Sequence, residues 1–116
     1  MAMKVTLLPT EVRAAGTVDS QKVTVWEKFE AAHIVIDHPN VGGGLTVSLL
    51  GYDSGAQYSY SLGLSGALVA SGHTLWKIGP QYTAAAGVAK EYVPYQFYVS
   101  VTASGTNAYG VYASVI

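Results

Sequence analysis

Two histidines and an aspartate lie close together in the stretch His33–His38 and offer side chains that can bind a transition metal. On a β-strand, His33 and Asp37 would share one face and His38 would lie on the other, because side chains alternate. The third histidine, His73, is remote in the sequence. A zinc site needs three or four converging ligands, which this spacing does not supply. We therefore expect polar residues at the end of a strand and no bound metal.

Ser65 lies in the stretch GLSGA (residues 63–67), which approximates the Gly-x-Ser-x-Gly elbow of hydrolases. The elbow requires a glycine where this chain has Ala67, and a helix where the following residues (LVASGHTLW) favour a strand. Residues 42–44 are three glycines, but they lack the lysine and the Ser or Thr of a phosphate-binding loop. The seven carboxylates show no spacing that forms a general acid and base pair. The sequence predicts a protein that is not an enzyme and needs no cofactor.

Tyrosine is abundant, with nine residues in the chain. Its side chain is rigid and amphipathic, which suits it to sugar- or protein-binding surfaces, although it is also a good strand former that packs in β cores. One short stretch combines tyrosines with polar partners that could bind a glycan, namely Tyr52, Asp53, Gln57 and Tyr58. Exposure of Tyr52 and Tyr58 would favour ligand binding, whereas their burial would favour a structural role.

The elements that would position these residues are short strands, and the clearest lie between Leu45 and Pro80. Leu45, Val47 and Leu49 alternate with small polar residues, which is the period of a half-buried strand. Two further strands, around residues 58–64 and 75–78, are separated by glycine-containing turns. Near the end of the chain, residues 95–103 and 108–116 are predicted to form a hairpin.

About eight strands at a spacing of roughly 8–12 residues predict an all-β protein with a single antiparallel β-sandwich. The strand order, jelly-roll or immunoglobulin-like, is not accessible from periodicity. Pro9 interrupts the first β segment, so we expect residues 1–20 to form an extended N-terminal arm with two short β segments, and residues 21–116 to form the sandwich domain. Two alternatives are open for this arm: it is an ordinary edge strand, or it reaches a neighbouring subunit.

The low charge has two explanations: Ser, Thr, Tyr and Gln supply the polar surface, or partner subunits cover part of it, and the uneven placement of the charges favours the second. Only 11% of the residues are charged, although half are hydrophobic. Of the 13 charged residues (six Lys and Arg plus seven Asp and Glu), nine fall within residues 1–37 and none lies within residues 92–116. The net charge of −1 does not favour nucleic acid or an anionic membrane as a partner. Residues 54–76 lack charge but are too polar for a membrane helix, and Met1–Thr10 is too weakly apolar for a secretory signal.

Several stretches of the chain resemble small virion proteins that tailed bacteriophages encode among their head genes. The resemblance lies in Leu7-Leu8-Pro9 followed by Val12-Arg13, and in the strand HIVID (residues 33–37). It continues through LTVSLLGYDSGAQYSYSL (45–62), ALVASGHTLWKIGP (67–80) and the closing YQFYVSVTASGTNAYGVYASVI (95–116). These motifs are turn and strand patterns that carry no catalytic chemistry.

The resemblance implies a non-enzymatic capsid decoration or cement protein, made in the host bacterial cytoplasm and bound to the outside of the phage head. Its partners would be the major capsid protein and copies of itself, as a dimer or trimer. The contact residues would lie in the arm and in the last hairpin: Leu7, Leu8, Pro9, Val12, Arg13, Tyr98, Tyr109 and Tyr112. The alternative is a glycan- or receptor-binding sandwich of a phage tail tip or fibre, which would use the Tyr52–Tyr58 stretch.

Overall fold

The computed structural model describes residues 3–25, 30–41, 44–64, 68, 71–82, 88–89 and 93–116. In these ranges the chain forms ten β-strands. They are β1 (Met3–Arg13), β2 (Gly16–Asp19), β3 (Val23–Thr24), β4 (Ala32–Val41), β5 (Leu45–Asp53), β6 (Tyr58–Leu64), β7 (Gly72–Ile78), β8 (Val88–Ala89), β9 (Gln96–Ala103) and β10 (Asn107–Val115). Across the same ranges, no helix has the length and apolar character needed to cross a membrane.

The strands form two sheets, which confirms the predicted antiparallel β-sandwich. The first sheet has the order β1-β10-β4-β7-β8, and the second has the order β2-β9-β5-β6 with β3 also paired to β9. Every pairing is antiparallel except that between β7 and the two-residue strand β8.

The strand order is that of a jelly roll. When the two-residue strands β3 and β8 are set aside, four strands remain in each sheet, and in chain order they are arranged 1-8-3-6 and 2-7-4-5. Consecutive strands β1 and β2 lie in different sheets, whereas the first two strands of an immunoglobulin domain belong to the same sheet. Of the two orders left open by the sequence, the structure therefore has the jelly-roll order.

The core lies between the sheets and follows the alternation predicted for β5. Leu45, Val47 and Leu49 are buried, and the residues between them are partly exposed. Strand β9 shows the same pattern, with Phe97, Val99 and Val101 completely buried. Burial of each such side chain stabilises the fold by about 1.5–3 kcal/mol. The first sheet contributes the opposite wall with Ile34, Ile36, Trp76, Ile78, Val111 and Val115.

The predicted N-terminal arm is part of the sandwich, because β1 and β2 are edge strands of the two sheets, and this is the edge-strand alternative of the prediction. Strand β1 pairs with β10 from Met3 opposite Val115 to Arg13 opposite Asn107, and β2 pairs with β9. Pro9 does not end β1 because it lies in an irregularity of the β1–β10 register, where a missing N–H costs no ladder hydrogen bond. The described residues before position 20 therefore belong to the folded domain, and the predicted division after residue 20 does not correspond to the structure.

The predicted closing hairpin is wrong, although both of its strands exist. Strand β9 pairs with β2, β3 and β5 in the second sheet, whereas β10 pairs with β1 and β4 in the first. The loop between them crosses from one sheet to the other. Both strands carry tyrosine and valine on both faces. This pattern fits their positions, because each is a central strand of a different sheet. The turn between β5 and β6, by contrast, is a true hairpin.

Candidate functional site

The histidines considered for metal binding are held by neighbouring hydroxyl groups. His33 lies on the outer face of the first sheet, with its Nε2 2.9 Å from the Tyr82 hydroxyl. His38 is buried on the opposite face of β4, and its Nε2 is 2.9 Å from Thr74 Oγ1. The alternation predicted for this strand is confirmed. Among the described residues, no three His, Asp or Glu side chains are placed to share a metal ion.

Asp37 belongs to a chain of hydrogen bonds that crosses the outer face of the first sheet. One carboxylate oxygen is 3.1 Å from His73 Nε2, because β4 and β7 bring these residues into register. The other is 3.1 Å from the Thr10 hydroxyl. Tyr112 Oη accepts a hydrogen bond from the Thr10 backbone N–H at 3.1 Å and lies 2.6 Å from the Thr10 hydroxyl.

The proton positions in this chain follow from its geometry. A carboxylate only accepts hydrogen bonds, so the hydroxyl of Thr10 donates to Asp37, and Tyr112 in turn donates to Thr10. The histidine contacts the carboxylate and not the hydroxyl, so Asp37 lies between His73 and Thr10 in this chain of hydrogen bonds. The arrangement ties together β1, β10, β4 and β7.

Three of the predicted interface residues are buried inside the sandwich. Leu7 and Leu8 are 3% and 8% exposed, and Tyr109 is completely buried. Burial raises the pKa of Tyr109 above its usual value, with a smaller opposing effect from Arg13. These three side chains belong to the core and do not form a surface for a partner.

Arg13 is also used within the chain. Its guanidinium donates hydrogen bonds to the carbonyl oxygens of Tyr109 and Pro9, and it lies 4.6 Å from the centre of the Tyr109 ring. The other predicted contact residues of β1 face solvent: Pro9 is exposed, and Val12 is 70% exposed. Tyr98 and Tyr112 are partly exposed, and they lie on the outer faces of the second and first sheets respectively.

The outer face of the second sheet is rich in hydroxyl groups and nearly free of charge. The registers of β2, β9, β5 and β6 place the following residues on this face: Thr17, Asp19, Thr46, Ser48, Leu50, Tyr52, Ser59, Ser61, Gln96, Tyr98, Ser100 and Thr102. We call this set the hydroxyl face. Tyr98 donates a hydrogen bond to Ser59 at 2.8 Å, and Lys22 Nζ lies 4.6 Å above the Tyr52 ring. Asp19 is the one charged member of the set, and the Lys22 ammonium adds a second charge over the same face, since it also lies 5.2 Å from the centre of the Tyr98 ring.

A pocket of about 320 Å³ lies at the end of this sheet, beside the turn that joins β5 to β6. We call it the tyrosine pocket; it is lined by Tyr52, Asp53, Ser54, Tyr60 and Tyr95. Asp53 Oδ1 accepts hydrogen bonds from the backbone N–H groups of Gly55 and Ala56 at 2.9 and 3.2 Å, which fixes the turn.

The tyrosine pocket only partly matches the ligand site predicted from sequence. Tyr52 and Asp53 line it, whereas Gln57 and Tyr58 are exposed at the turn and do not. Tyr60 and Tyr95 were missed. The alternation of tyrosine and serine over residues 58–61 could have identified Tyr60, because it places Tyr60 on the same face of the strand as the predicted site residue Tyr58. No local signal brings Tyr95 here, because its position depends on the pairing of β9 with β5.

Residues 65–67 of the stretch that approximates a hydrolase elbow, and Gly42 and Gly43 of the glycine run, lie outside the described residues. Gly44 is described: its backbone N–H donates to the Ser104 hydroxyl at 2.8 Å, which links the loops that precede β5 and follow β9.

Comparison with known proteins shows that the fold of this chain is similar to that of a solved viral structure. No family model and no curated protein sequence matches the chain. A solved structure of infectious bursal disease virus, Gx strain, is similar with a TM-score of 0.56 and 10% sequence identity. That match covers 99% of this chain and 32% of the viral chain, so the chain spans about a third of that protein's length. The crystal structure of PirA matches with a TM-score of 0.44 and 14% identity, over 98% of this chain and 91% of PirA.

Proposed function

We propose that this chain is a non-enzymatic virion protein that decorates the outside of a tailed-phage head and stabilises the shell through contacts with the major capsid protein and with copies of itself. The hydroxyl face carries this proposal. It presents outward side chains from four strands, and most of them are Ser, Thr, Tyr or Gln. When a partner protein covers a face of this kind, few charged groups are buried. Binding of the partner therefore avoids most of the free-energy cost of desolvating ionic groups.

The fold supports the same proposal. Jelly rolls are a common architecture of viral capsid proteins and also of lectin domains. The solved structure with a TM-score of 0.56 belongs to a virus, and its likeness to this chain extends over 99% of the chain. The resemblance to phage head-gene products supports the same proposal, since it rests on strand and turn motifs of the sequence and not on the fold.

A decoration protein needs repeated contacts more than one strong contact. Each copy on a shell engages several neighbours at once, so the effective concentration of every further contact is high and weak faces suffice. On this proposal, Tyr98 belongs to the contact area, because it lies on the central strand β9 directly opposite Leu50 of β5. The buried residues Leu7, Leu8 and Tyr109 act only by maintaining the fold.

The experiment compares virions with particles that lack this gene product. We expect antibodies against the chain to label the head surface, and particles without the protein to release DNA at a lower temperature. Addition of the purified protein should restore the release temperature. Labelling confined to the tail would contradict the proposal and favour the receptor-binding module of a tail tip or fibre.

Two lysine variants locate the contact surface. Ser48→Lys places a long charged side chain on the central strand β5 within the hydroxyl face, so it should bind deficient heads at least about tenfold more weakly, a loss of roughly 1.4 kcal/mol. Thr6→Lys adds the same charge to the outer face of the other sheet and is the matched control. Equal binding by both variants would exclude the hydroxyl face as the contact surface.

A further inference from the structure

We propose that the tyrosine pocket binds a neutral sugar residue. The pocket shares Tyr52 with the hydroxyl face assigned to shell contacts, but its other four lining residues lie outside that face, and the proposal does not depend on that assignment. The pocket has a volume of about 320 Å³, at the lower end of the range of about 300–1,000 Å³ that is typical of small-molecule sites. It is open to solvent and lies beside a turn, where a ligand on a glycan chain can reach it.

The tyrosine rings that line the pocket are partly exposed, so a ligand can contact their apolar surface. Tyr95 is 66% exposed and Tyr60 is 38% exposed. Large exposed rings lose little conformational entropy when a ligand stacks on them, because a tyrosine side chain has only two rotatable angles. The Tyr60 ring is further restrained, since it lies against the backbone of Gly51 on the adjacent strand. Two nearly preformed ring surfaces suit the apolar C–H face of a pyranose.

The polar lining supplies hydrogen-bonding groups of the required kind. Asp53 Oδ1 is occupied by the two N–H groups of its turn, and this leaves Oδ2 able to accept a hydrogen bond from a ligand hydroxyl. Because the turn fixes the carboxylate, little ordering is needed when the ligand binds. The hydroxyl of Ser54 adds a group that can both donate and accept.

The chemistry of this lining distinguishes between classes of ligand. An anion is disfavoured, because Asp53 would repel it and no Lys or Arg of the described ranges lines the pocket, Lys22 lying over the Tyr52 ring outside the lining. A wholly apolar ligand would bury the free carboxylate oxygen without a partner, which is costly. A ligand with an apolar face and several hydroxyl donors satisfies both the rings and the carboxylate. Neutral sugars have this combination.

The test is saturation-transfer NMR on the intact protein with four probes, each used alone: methyl β-glucoside, methyl β-galactoside, methyl α-mannoside and N-acetylglucosamine. We expect at least one of them to bind with a dissociation constant in the millimolar range. Tyr95→Ala should weaken that sugar about five- to tenfold, through loss of the stacking surface. Asp53→Asn should also weaken it, because the amide keeps an acceptor for the turn but replaces the second acceptor by a donor.

Tyr58→Ala is the matched control, since Tyr58 is 63% exposed on the same hairpin but does not line the pocket. It should bind the sugar as the unaltered protein does. Absence of binding by all four sugars would overturn the proposal, as would an equal loss of sugar binding in Tyr58→Ala. Ser48→Lys should retain sugar binding, and Tyr95→Ala should retain binding to deficient heads, so failure of this site and failure of the shell contact are distinguishable.

Discussion

The ring of Tyr60 lies over Gly51 on the neighbouring strand, in the space that a side chain at position 51 would occupy. The two residues are directly paired between β5 and β6. Gly51 continues the row of inward positions formed by Val47 and Leu49, so the missing side chain opens the end of the core for the tyrosine ring. The glycine thus determines where one wall of the tyrosine pocket stands.

We expect Gly51→Ala to lower the free energy of unfolding by about 1–3 kcal/mol, because the added methyl group overlaps the Tyr60 ring and forces it to move. In the double variant Gly51→Ala/Tyr60→Ala the overlap is absent. The two changes should therefore be coupled by about 0.5–3 kcal/mol in a double-mutant cycle measured by urea unfolding. Additive effects would show that the close approach of the two residues is not responsible.

Leu7 and Val12 test whether the start of the chain is a core strand or an arm. Leu7→Ala should lower the free energy of unfolding by about 2–5 kcal/mol, because it empties a buried position between the sheets. Val12→Ala, in the same strand but 70% exposed, should change it by less than about 0.5 kcal/mol. Thermal unfolding of both variants at equal concentration provides the measurement.

An arm that reaches a neighbouring subunit would behave differently. Leu7→Ala would then alter the mass measured by light scattering and leave the stability of the monomer unchanged. Deletion of residues 1–20 extends the comparison: it removes β1 from one sheet and β2 from the other. We expect the shortened chain to fail to fold, seen as loss of the β-sheet signal in circular dichroism.

The alternation of residues in the sequence correctly predicted which face of the strand each residue of β4 and β5 occupies. The turn residues correctly predicted the hairpin between β5 and β6. Alternation determines the face of a strand, and Asp-Ser-Gly determines the turn. The same pattern does not say which strands are neighbours, because hydrogen-bond partners in a jelly roll are distant in the sequence. For this reason β9 and β10 were expected as a hairpin, although they lie in different sheets.

The candidate site also combines residues that local sequence predicts with residues that only strand pairing brings together. Tyr52 and Asp53 are sequence neighbours at the end of one strand, and they were predicted together. Tyr95 joins them through the pairing of β9 with β5, which no local property of the sequence reveals. Leu7 and Leu8 were predicted at an interface because they belong to the expected N-terminal arm, but the pairing of β1 with β10 turns them inward.

The hydrogen bonds of Thr10 and Tyr112 can be tested as a unit. Tyr112→Phe removes both the acceptor of the Thr10 N–H and the donor to the Thr10 hydroxyl, so we expect a loss of about 0.5–1.5 kcal/mol per bond, less where water replaces the partner. Thr10→Val removes one of the same bonds. Because the bond is shared, the double variant should lose less than the sum of the single losses.

A distant hydroxyl pair serves as the control for this cycle. Tyr98→Phe removes the hydrogen bond to Ser59 on the other sheet. Combined with Tyr112→Phe, it should give additive losses, because the two tyrosines share no partner. Additivity in the Thr10 cycle, or coupling in the control cycle, would contradict the hydrogen-bonded chain deduced here for the first sheet.

The last prediction concerns alkaline pH and the buried hydroxyl of Tyr109. This oxygen has no hydrogen-bond partner among the described residues, and burial raises the pKa of the group above the value of 10.0 expected in an unfolded chain. Between the two pKa values the unfolded chain releases a proton that the folded chain retains. The contribution of Tyr109 to stability is therefore intact below pH 10 and is lost as the pH rises from there towards the folded-state value.

Tyr109→Phe removes both effects. Near neutral pH the variant should be at least as stable as the unaltered protein, because it replaces an unpartnered buried hydroxyl by hydrogen at a nearly unchanged shape. Above pH 10 it should lose stability less steeply, and the difference between the two urea-unfolding curves isolates this residue from the other tyrosines that titrate there. A parallel decline of both proteins above pH 10 would show that Tyr109 ionises equally easily in the folded and unfolded chain.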